Sequence, residues 1–232
     1  MGIGRKLHNL LHPVLGRILM LHRVVERIGF QPEARRLEVT GAFFADALDA
    51  MRSQGVDFIG IDQVAGQLKS KSRKPFVCVT FDDGYLDTLT LAYPILKERQ
   101  IPFCVYMTRD YYQGKSKPHW NPEASMMGVD QLLELSSDPL CIIGAHTCSH
   151  PHLSQLSDEN QRHEIEACKT DLEQLVGKPV LHLAYPHGDY NEETVRIVRD
   201  LLFDTAVTTS GRQVRNDSKL LELDRVTLIQ KN

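Results

Sequence analysis

Apolar residues along this chain fall into short β-branched runs and into longer stretches with helical spacing, and the two kinds of segment alternate. Runs of the first kind predict strands, and stretches with an apolar residue every three or four positions predict helices. The predicted strands cover residues 18–25, 55–59, 76–79, 101–107, 140–145, 180–185, 203–208 and 220–229. The predicted helices cover residues 40–51, 61–68, 86–99, 129–135, 157–176 and 191–202.

This alternation is typical of a mostly parallel sheet covered by helices. About six to eight such units predict an α/β fold of the (β/α) barrel type, in which the carboxyl ends of the strands carry the chemistry. No repeat, low-complexity segment or long linker divides the 232 residues, so we expect residues 1–232 to form a single domain. The loop at 109–128 is long and contains the only tryptophan, Trp120.

The first 25 residues decide whether a targeting segment is expected. Basic and polar residues interrupt their apolar run, and no small-residue cleavage site follows. We therefore expect no signal peptide, no transmembrane helix and a cytoplasmic protein. Six apolar residues follow helical spacing, namely Leu7, Leu10, Leu11, Val14, Leu15 and Ile18. They predict a helix packed on its own domain, and weak contact with a membrane surface is the alternative.

Charge and cysteine usage narrow the classes of partner and compartment. The formal net charge of -3 gives no electrostatic reason to expect a nucleic-acid partner. The cysteines are five, an odd number, with no C-x-x-C pair, and Cys78, Cys104 and Cys141 lie in predicted strands. This pattern favours small buried side chains in a reducing compartment over a disulfide framework.

Two adjacent carboxylates, Asp82 and Asp83, stand where a predicted strand ends and a predicted helix begins. Ligands bind at this edge in α/β folds. Two like charges side by side cost free energy unless a cation or a shared proton relieves them. Because Asp-Asp-Gly is also ordinary turn chemistry, a simple turn is the alternative for this stretch taken alone.

Two further strand ends are unusual. His146 and His150 are four residues apart, so one helical turn would bring both imidazoles to one face. Two histidines and one carboxylate form a common open metal site, although a surface or capping role is the alternative for an isolated pair. At the third strand end, the turn at residues 185–188 could expose backbone N–H groups, or it could simply lead into the next helix.

The order of these segments, TFDDGY, then HTCSHP, then AYPHGDYN, resembles that of the polysaccharide deacetylases of carbohydrate esterase family 4, the NodB-homology domain. The resemblance covers approximately residues 76–208, more than half of the chain. It implies a distorted, seven- or eight-stranded NodB-like barrel.

The resemblance also implies roles. Asp82 matches the general base, and Asp83, His146 and His150 match the ligands of one divalent metal ion. Zinc is expected, and cobalt, manganese, nickel or iron also suit two histidines and a carboxylate. The ion would acidify a water molecule and polarise the amide, and Asp82 would take the water proton.

Four residues are assigned to the substrate by the same resemblance. The backbone N–H of His187 would help hold the oxyanion. Tyr85, Tyr185 and Pro186 would line the sugar pocket.

The chain departs from the family pattern in two places. The third motif usually reads Arg-x-Pro-Tyr, but here it reads Ala184-Tyr185-Pro186-His187, so its arginine is missing. The last motif, Leu-x-His, supplies the acid, yet no histidine follows Leu220. The stretch Met20-Leu21-His22-Arg23-Val24 resembles the strand of permuted relatives whose early histidine replaces that acid, which makes His22 the predicted acid; a structural histidine at a strand end is the alternative. Asp224-Arg225-Val226, in the last predicted strand, resembles the Pro-Arg-Ile segment of the same relatives, which makes Arg225 the predicted replacement for the missing guanidinium beside Asp82.

These assignments predict a metal-dependent hydrolase that removes an acetyl group from an N-acetylated amino sugar in a glycan, glycolipid or sugar precursor. One alternative is a relative that hydrolyses a non-sugar amide or imide. Another is a non-catalytic carbohydrate-binding module, against which Asp82 argues, since binding alone needs no base. The identity of the sugar, the oligomeric state and any closure of loop 109–128 over substrate do not follow from the sequence.

Overall fold

A computed structural model describes residues 14–29, 35–70 and 74–230. Its strands are β1 (Val14–Leu21), β2 (Arg23–Val25), β3 (Glu38–Thr40), β4 (Asp57–Phe58), β5 (Phe76–Phe81), β6 (Phe103–Met107), β7 (Cys141–Ala145), β8 (His182–Ala184), β9 (Thr205–Val207), β10 (Val214–Arg215) and β11 (Val226–Thr227). The α-helices are α1 (Gly41–Ser53), α2 (Val64–Lys69), α3 (Tyr93–Glu98), α4 (Arg109–Tyr112), α5 (Val129–Ser136), α6 (Asp158–Val176) and α7 (Glu192–Asp200).

A curved sheet with the order β10-β1-β5-β6-β7-β8-β9 forms the centre of the fold. Neighbouring strands from β1 to β9 are parallel, whereas β10 is antiparallel to β1. The chain after Leu223 joins the two ends of the curve, because Leu223 pairs with Val207 of β9 and Val226 pairs with Leu19 of β1. The prediction of a distorted (β/α) barrel is confirmed.

The register of the parallel strands places their carboxyl ends at one edge. Leu21 of β1 lies opposite Phe81 of β5, and Ala184 of β8 lies opposite Val207 of β9. The residues that directly follow these strands therefore meet at the same rim, as expected for a barrel of parallel strands.

Alternation along the strands divides the apolar core into two layers. One cluster includes Ile18, Cys78 and Cys104 from β1, β5 and β6. The other joins the alternate strand residues to the helices, for example Val79 to Leu48 of α1. Because successive strand residues point to opposite faces, Thr80 and Asp82 continue the face that carries Cys78.

The helices begin and end where local chemistry favours it. The side chain of Thr40 accepts a hydrogen bond from Phe43 N at the start of α1, and Ser157 does the same for Asn160 N at the start of α6. Gly177 ends α6 in the left-handed conformation that lacks a penalty only for glycine. Within the described ranges, no helix has both the length and the apolar character needed to cross a bilayer.

Several predicted boundaries are wrong for physical reasons. Val14, Leu15 and Ile18 lie in β1, where pairing with β5 and β10 overrides their helical spacing, while residues 7–11 lie outside the described part of the chain. The predicted helix 86–99, by contrast, is helical from Leu86 to Glu98; it contains a π-helical stretch at Thr88–Ala92, and Pro94 in α3 has no N–H to donate to the preceding turn.

The last predicted strand is also shorter than expected. Residues 220–229 contain a 3₁₀ turn at Leu220–Glu222 and the two-residue strand β11. Residues 210–219, where no strand was predicted, contain β10, because backbone pairing with β1 does not require apolar side chains at a sheet edge.

Candidate active site and metal centre

Four strand ends supply residues to one rim of the barrel. His22 follows β1, Asp82 follows β5, His146 follows β7 and Tyr185 follows β8. A cleft of about 560 Å³ opens there and is lined by Met20, His22, Arg36, Leu37, Asp82, His119, Trp120, His146, His150, His187 and Thr209. A larger cavity of about 710 Å³ lies beside residues 211–226, but none of the predicted site residues lines it. The predicted chemistry is therefore concentrated at the smaller cleft.

Asp82 is paired with Arg225, the partner that the resemblance to permuted relatives implied. Two guanidinium nitrogens donate to the two carboxylate oxygens at 2.7 Å each, and both side chains are buried. The guanidinium also donates to Thr80 Oγ1 at 3.1 Å and to the Thr208 carbonyl at 2.9 Å. Burial alone would raise the pKa of Asp82, but the Arg225 guanidinium holds it well below its ordinary value. Asp82 is consequently an ionised carboxylate at neutral pH.

Asp83 has the opposite surroundings. Its side chain is completely buried, and neither carboxylate oxygen has a hydrogen-bond partner among the described residues. Burial and the neighbouring Asp82 carboxylate raise the pKa of Asp83 well above its usual range, and the nearby Tyr85 hydroxyl opposes this shift only in part. A buried carboxylate without a partner is costly, and a bound cation is the usual compensation.

Two histidines face this carboxylate in the arrangement that a metal ion requires. Asp83 Oδ1 lies 3.5 Å from His146 Nε2 and 3.5 Å from His150 Nε2, and the candidate ligand atoms of the three residues lie within 4.8 Å of one another. Ligand atoms about 2.1 Å from a tetrahedral zinc ion lie approximately 3.4 Å apart. The residues therefore fit a divalent metal ion.

The protonation states of the histidines agree with that fit. His146 Nδ1 lies 2.8 Å from the Ala184 carbonyl, which can only accept, so Nδ1 carries the proton and Nε2 presents a lone pair to Asp83. Burial lowers the pKa of His146 to about 4. Burial and the nearby His146 and His187 rings lower that of His150. Both imidazoles are neutral at pH 7, which is the form that binds metal.

Left-handed backbone conformations concentrate at this site. Of six non-glycine residues with positive φ in the described chain, four belong to the predicted motifs, namely Asp83 (71°), Thr147 (65°), His150 (62°) and His187 (59°). The expected helical turn between His146 and His150 is therefore wrong, although the two imidazoles do converge. Such strain is characteristic of functional sites, where the surrounding fold holds it in place.

His22 lies beside the predicted base. Its Nε2 is 4.0 Å from Asp82 Oδ2, its side chain is 14% exposed, and its Nδ1 is buried without a hydrogen-bond partner in the described chain. Burial lowers the pKa of His22, and the Asp82 carboxylate opposes this shift. The geometry places this imidazole beside the predicted base and in the same cleft as His146 and His150, and its role as acid stays a prediction.

The four residues predicted to contact substrate separate into two groups. His187 is exposed and lines the cleft. Pro186 is buried, and Tyr85 and Tyr185 are completely buried beneath the cleft wall. The hydroxyl of Tyr185 donates to the Leu221 carbonyl at 2.8 Å, so this ring supports the barrel rather than facing the cleft.

Six lining residues had no predicted role, namely Met20, Arg36, Leu37, His119, Trp120 and Thr209. Three of them come from loops whose paths the sequence pattern does not specify. His119 and Trp120 come from loop 109–128, and Arg36 precedes β3. A single tryptophan in an unusually long loop was the available signal for one of them.

Comparison with known proteins identifies the family. The family model for polysaccharide deacetylases matches residues 69–206, more than half of the chain. The chain belongs to the polysaccharide deacetylase family. The match contains β5 to β8 and with them Asp82, Asp83, His146 and His150, whereas His22 and Arg225 lie outside it.

Relatives of this polysaccharide deacetylase family member extend the likeness to the whole fold. The YxkH protein of Bacillus subtilis (strain 168), named as a polysaccharide deacetylase, is 28% identical over 165 residues; the match covers 70% of this chain and 56% of that protein. The Streptococcus pyogenes deacetylase PplD, solved in complex with acetate, is 27% identical to this chain in sequence. The superposition covers 94% of this chain and 93% of the PplD chain, with a TM-score of 0.81. IcaB from Ammonifex degensii is also 27% identical, with 93% and 92% coverage and a TM-score of 0.78.

Proposed function

We propose that this protein is a metal-dependent hydrolase that removes the acetyl group from an N-acetylated amino sugar in a glycan, glycolipid or sugar precursor. The observation that carries the proposal is the contrast at Asp82 and Asp83, where an ionised carboxylate stands directly beside a three-residue metal-binding set. The family membership and the acetate bound to the related PplD deacetylase support the reaction class.

Asp83, His146 and His150 would hold the metal ion, whose bound form supplies an acidified water molecule and a polarised carbonyl. Asp82 accepts a proton from the attacking water, and the two hydrogen bonds from Arg225 fix the direction of its oxygens. The backbone N–H of His187, on the turn after β8, would stabilise the negatively charged oxygen of the tetrahedral carbon.

His22 donates a proton to the departing amine, so one proton leaves water and one reaches nitrogen as amide and water become acetate and amine. The 4.0 Å between His22 Nε2 and Asp82 Oδ2 places the proposed acid beside the proposed base. Because burial lowers the pKa of His22, we assign its proton to the catalytic cycle: the proton that Asp82 takes from water passes to His22 and from there to the nitrogen of the leaving amine.

The test compares metal binding with turnover. Protein reconstituted with zinc and desalted should contain about one metal ion per chain, and His146→Ala should contain none. Wild type should release equal amounts of acetate and amine from an N-acetylglucosamine oligosaccharide. Asp82→Asn and His22→Gln should retain the metal but lose about 10²- to 10⁴-fold in kcat, the usual contribution of a general base or acid.

The exposed His163→Gln in α6 is the matched control for His22→Gln and should retain full activity. Turnover of non-sugar amides alone would replace the proposed substrate class. Sugar binding without turnover, unchanged in Asp82→Asn, would instead support a carbohydrate-binding module.

A further inference from the structure

Loop 109–128 is attached at both ends to the segments that carry the candidate metal ligands. At its start, Arg109 N donates to Thr147 O at 3.1 Å, within the segment between His146 and His150. At its end, Met127 N donates to Gly84 O at 2.9 Å, directly after Asp83. The position of this loop is therefore coupled to the geometry of the site.

Trp120, in the middle of the loop, forms part of the cleft wall beside the metal ligands. The centroid of its indole ring lies 5.0 Å from that of His150 and 6.1 Å from that of His187. Its Nε1 donates a hydrogen bond to the hydroxyl of Tyr85 at 3.2 Å. Among the described residues this is the one hydrogen bond that the indole makes, so the orientation of the ring depends on the position of the tyrosine oxygen.

The tyrosine itself is held firmly. Tyr85 is 0% exposed, and the Arg23 guanidinium lies over its ring, 5.4 Å from the centroid. Arg23 is fixed in turn by Asp87 at 2.7 Å and Glu38 at 2.9 Å, both buried. A cation over an aromatic face and two buried carboxylates leave the ring little freedom to turn.

We infer that Tyr85 is a positioning residue that fixes Trp120 as the wall against which an N-acetylated sugar ring packs. This inference rests on the proposed function for the identity of the ligand, but not for the position of the indole. An aromatic surface fixed before binding spares the cost of ordering it when the substrate arrives. The role of Tyr85 is thus exerted from beneath the cleft, through its hydroxyl, instead of by direct contact with substrate.

The sole tryptophan gives a direct readout, because intrinsic tryptophan emission of this chain reports Trp120 alone. Tyr85→Phe removes the hydroxyl and keeps the ring beneath Arg23. We expect a red-shifted emission maximum and at least a twofold rise in the acrylamide quenching constant. For the N-acetylglucosamine oligosaccharide we expect KM to rise about three- to tenfold, the equivalent of one hydrogen bond, with kcat changed less than twofold.

Tyr93→Phe is the matched control. Tyr93 lies on α3, and its hydroxyl donates to Asp138 at 2.6 Å. Removing this hydroxyl should alter neither the emission of Trp120 nor KM. Trp120→Phe should raise KM to a similar extent, and adding Tyr85→Phe to it should cause no further rise, since the two residues act through one contact.

Unchanged emission and quenching in a folded Tyr85→Phe protein would overturn the inference, as would a fall in bound zinc, which would place Tyr85 among the groups that hold the metal. Additive KM effects in the double variant would also overturn it. If wild type hydrolyses no N-acetylated sugar, the proposed function fails, while the emission and quenching data still decide whether Tyr85 positions Trp120.

Discussion

The neighbouring residues Asp82 and Asp83 have opposite surroundings. The Asp82 carboxylate, on the side of the barrel interior, receives two hydrogen bonds from Arg225. On the loop side, both oxygens of Asp83 lack a hydrogen-bond partner within the described chain. Strand alternation turns Asp82 towards Thr80 and Arg225, and the left-handed φ of 71° at Asp83 redirects the next side chain towards His146 and His150. Two identical side chains therefore have pKa values shifted in opposite directions.

Under the proposed function, this difference separates two tasks that need opposite electrostatics, those of a base and of a metal ligand. A base must remain ionised without binding the metal itself, and a fixed guanidinium achieves this. A carboxylate that binds a metal ion must keep its oxygens free of hydrogen bonds from the protein, so that the cation can neutralise its charge. The folded protein is less stable when the cation is absent, because the buried charge then has no partner. The variants below should affect one of the two carboxylates and spare the other.

The largest effect is expected for Asp83→Asn, because it removes the one anionic ligand. We expect loss of zinc binding and a fall in activity of more than about 100-fold, since even residues that merely orient ligands contribute about 10- to 100-fold. Zinc at about 1,000 times its Kd should stabilise wild type by about 4 kcal/mol and leave the variant unchanged. Metal analysis and thermal unfolding with and without zinc measure both.

The same variant should respond differently in the presence of a chelator. Without metal, Asp83→Asn should be at least as stable as wild type, because it removes a buried, unpartnered carboxylate beside Asp82. The exposed Asp46→Asn in α1 is the control and should leave zinc binding and stability as they are. A chelated Asp83→Asn protein that is clearly less stable than wild type would contradict this interpretation of the Asp83 environment.

Arg225→Met tests the surroundings of the other carboxylate, Asp82. It leaves the Asp82 carboxylate buried without its counter-ion, and removing one partner of a buried ion pair costs about 3–5 kcal/mol. Urea unfolding of chelated protein should show this loss. The exposed pair between Arg162 and Asp200 supplies the control, since Arg162→Met should cost less than about 1 kcal/mol.

Adding Asp82→Leu to Arg225→Met should restore most of the lost stability, because an apolar pair no longer leaves a charge buried. If the double variant is as unstable as Arg225→Met, the cost comes from packing of the arginine and not from the ion pair. Arg225→Lys, which retains the charge without two parallel hydrogen bonds, should fall between wild type and Arg225→Met.

The sequence predicted only part of the candidate site and of its surroundings. Asp82, Asp83, His146 and His150 follow strands whose ends the pattern located, and parallel topology then brings such ends together. Arg225 was predicted because Asp224-Arg225-Val226 resembles a segment of permuted relatives, and the structure places it beside Asp82, although its catalytic role stays a prediction. The barrel was predictable because alternation of strands and helices persists along the chain.

The remaining features depend on contacts between distant segments. The left-handed residues at Thr147 and His150 replaced the expected helical turn, and no local pattern announces them at residues other than glycine. Tyr85 was expected on the cleft surface, yet Arg23 and loop 109–128 bury it. The placement of Trp120 follows from hydrogen bonds at the two ends of its loop, which sequence spacing does not encode.

The smallest expected effect concerns His182, whose pKa is lowered mainly by burial and not by a place in the candidate site. Burial lowers the pKa of His182 to about 4, the same value as for His146, but His182 lies in β8 with Nδ1 2.9 Å from Thr205 Oγ1. An equal pKa shift therefore does not by itself mark a functional residue. The two histidines should differ in zinc dependence, because a metal-bound imidazole no longer titrates and His182 still does.

For His182 the folded-state pKa lies below the unfolded value of 6.5, so the unfolded chain takes up a proton first as the pH falls. Stability should therefore be unaffected by this group above pH 6.5 and should decline progressively to pH 4, by about 3 kcal/mol in total. His182→Asn, which can retain the contact with Thr205, should lack this decline in zinc-loaded protein. Urea unfolding from pH 7 to pH 4 measures the difference. Equal slopes for wild type and His182→Asn would show that His182 is not the group that titrates, because each protein would then lose the same stability over the window in which only wild type has an imidazole at this position.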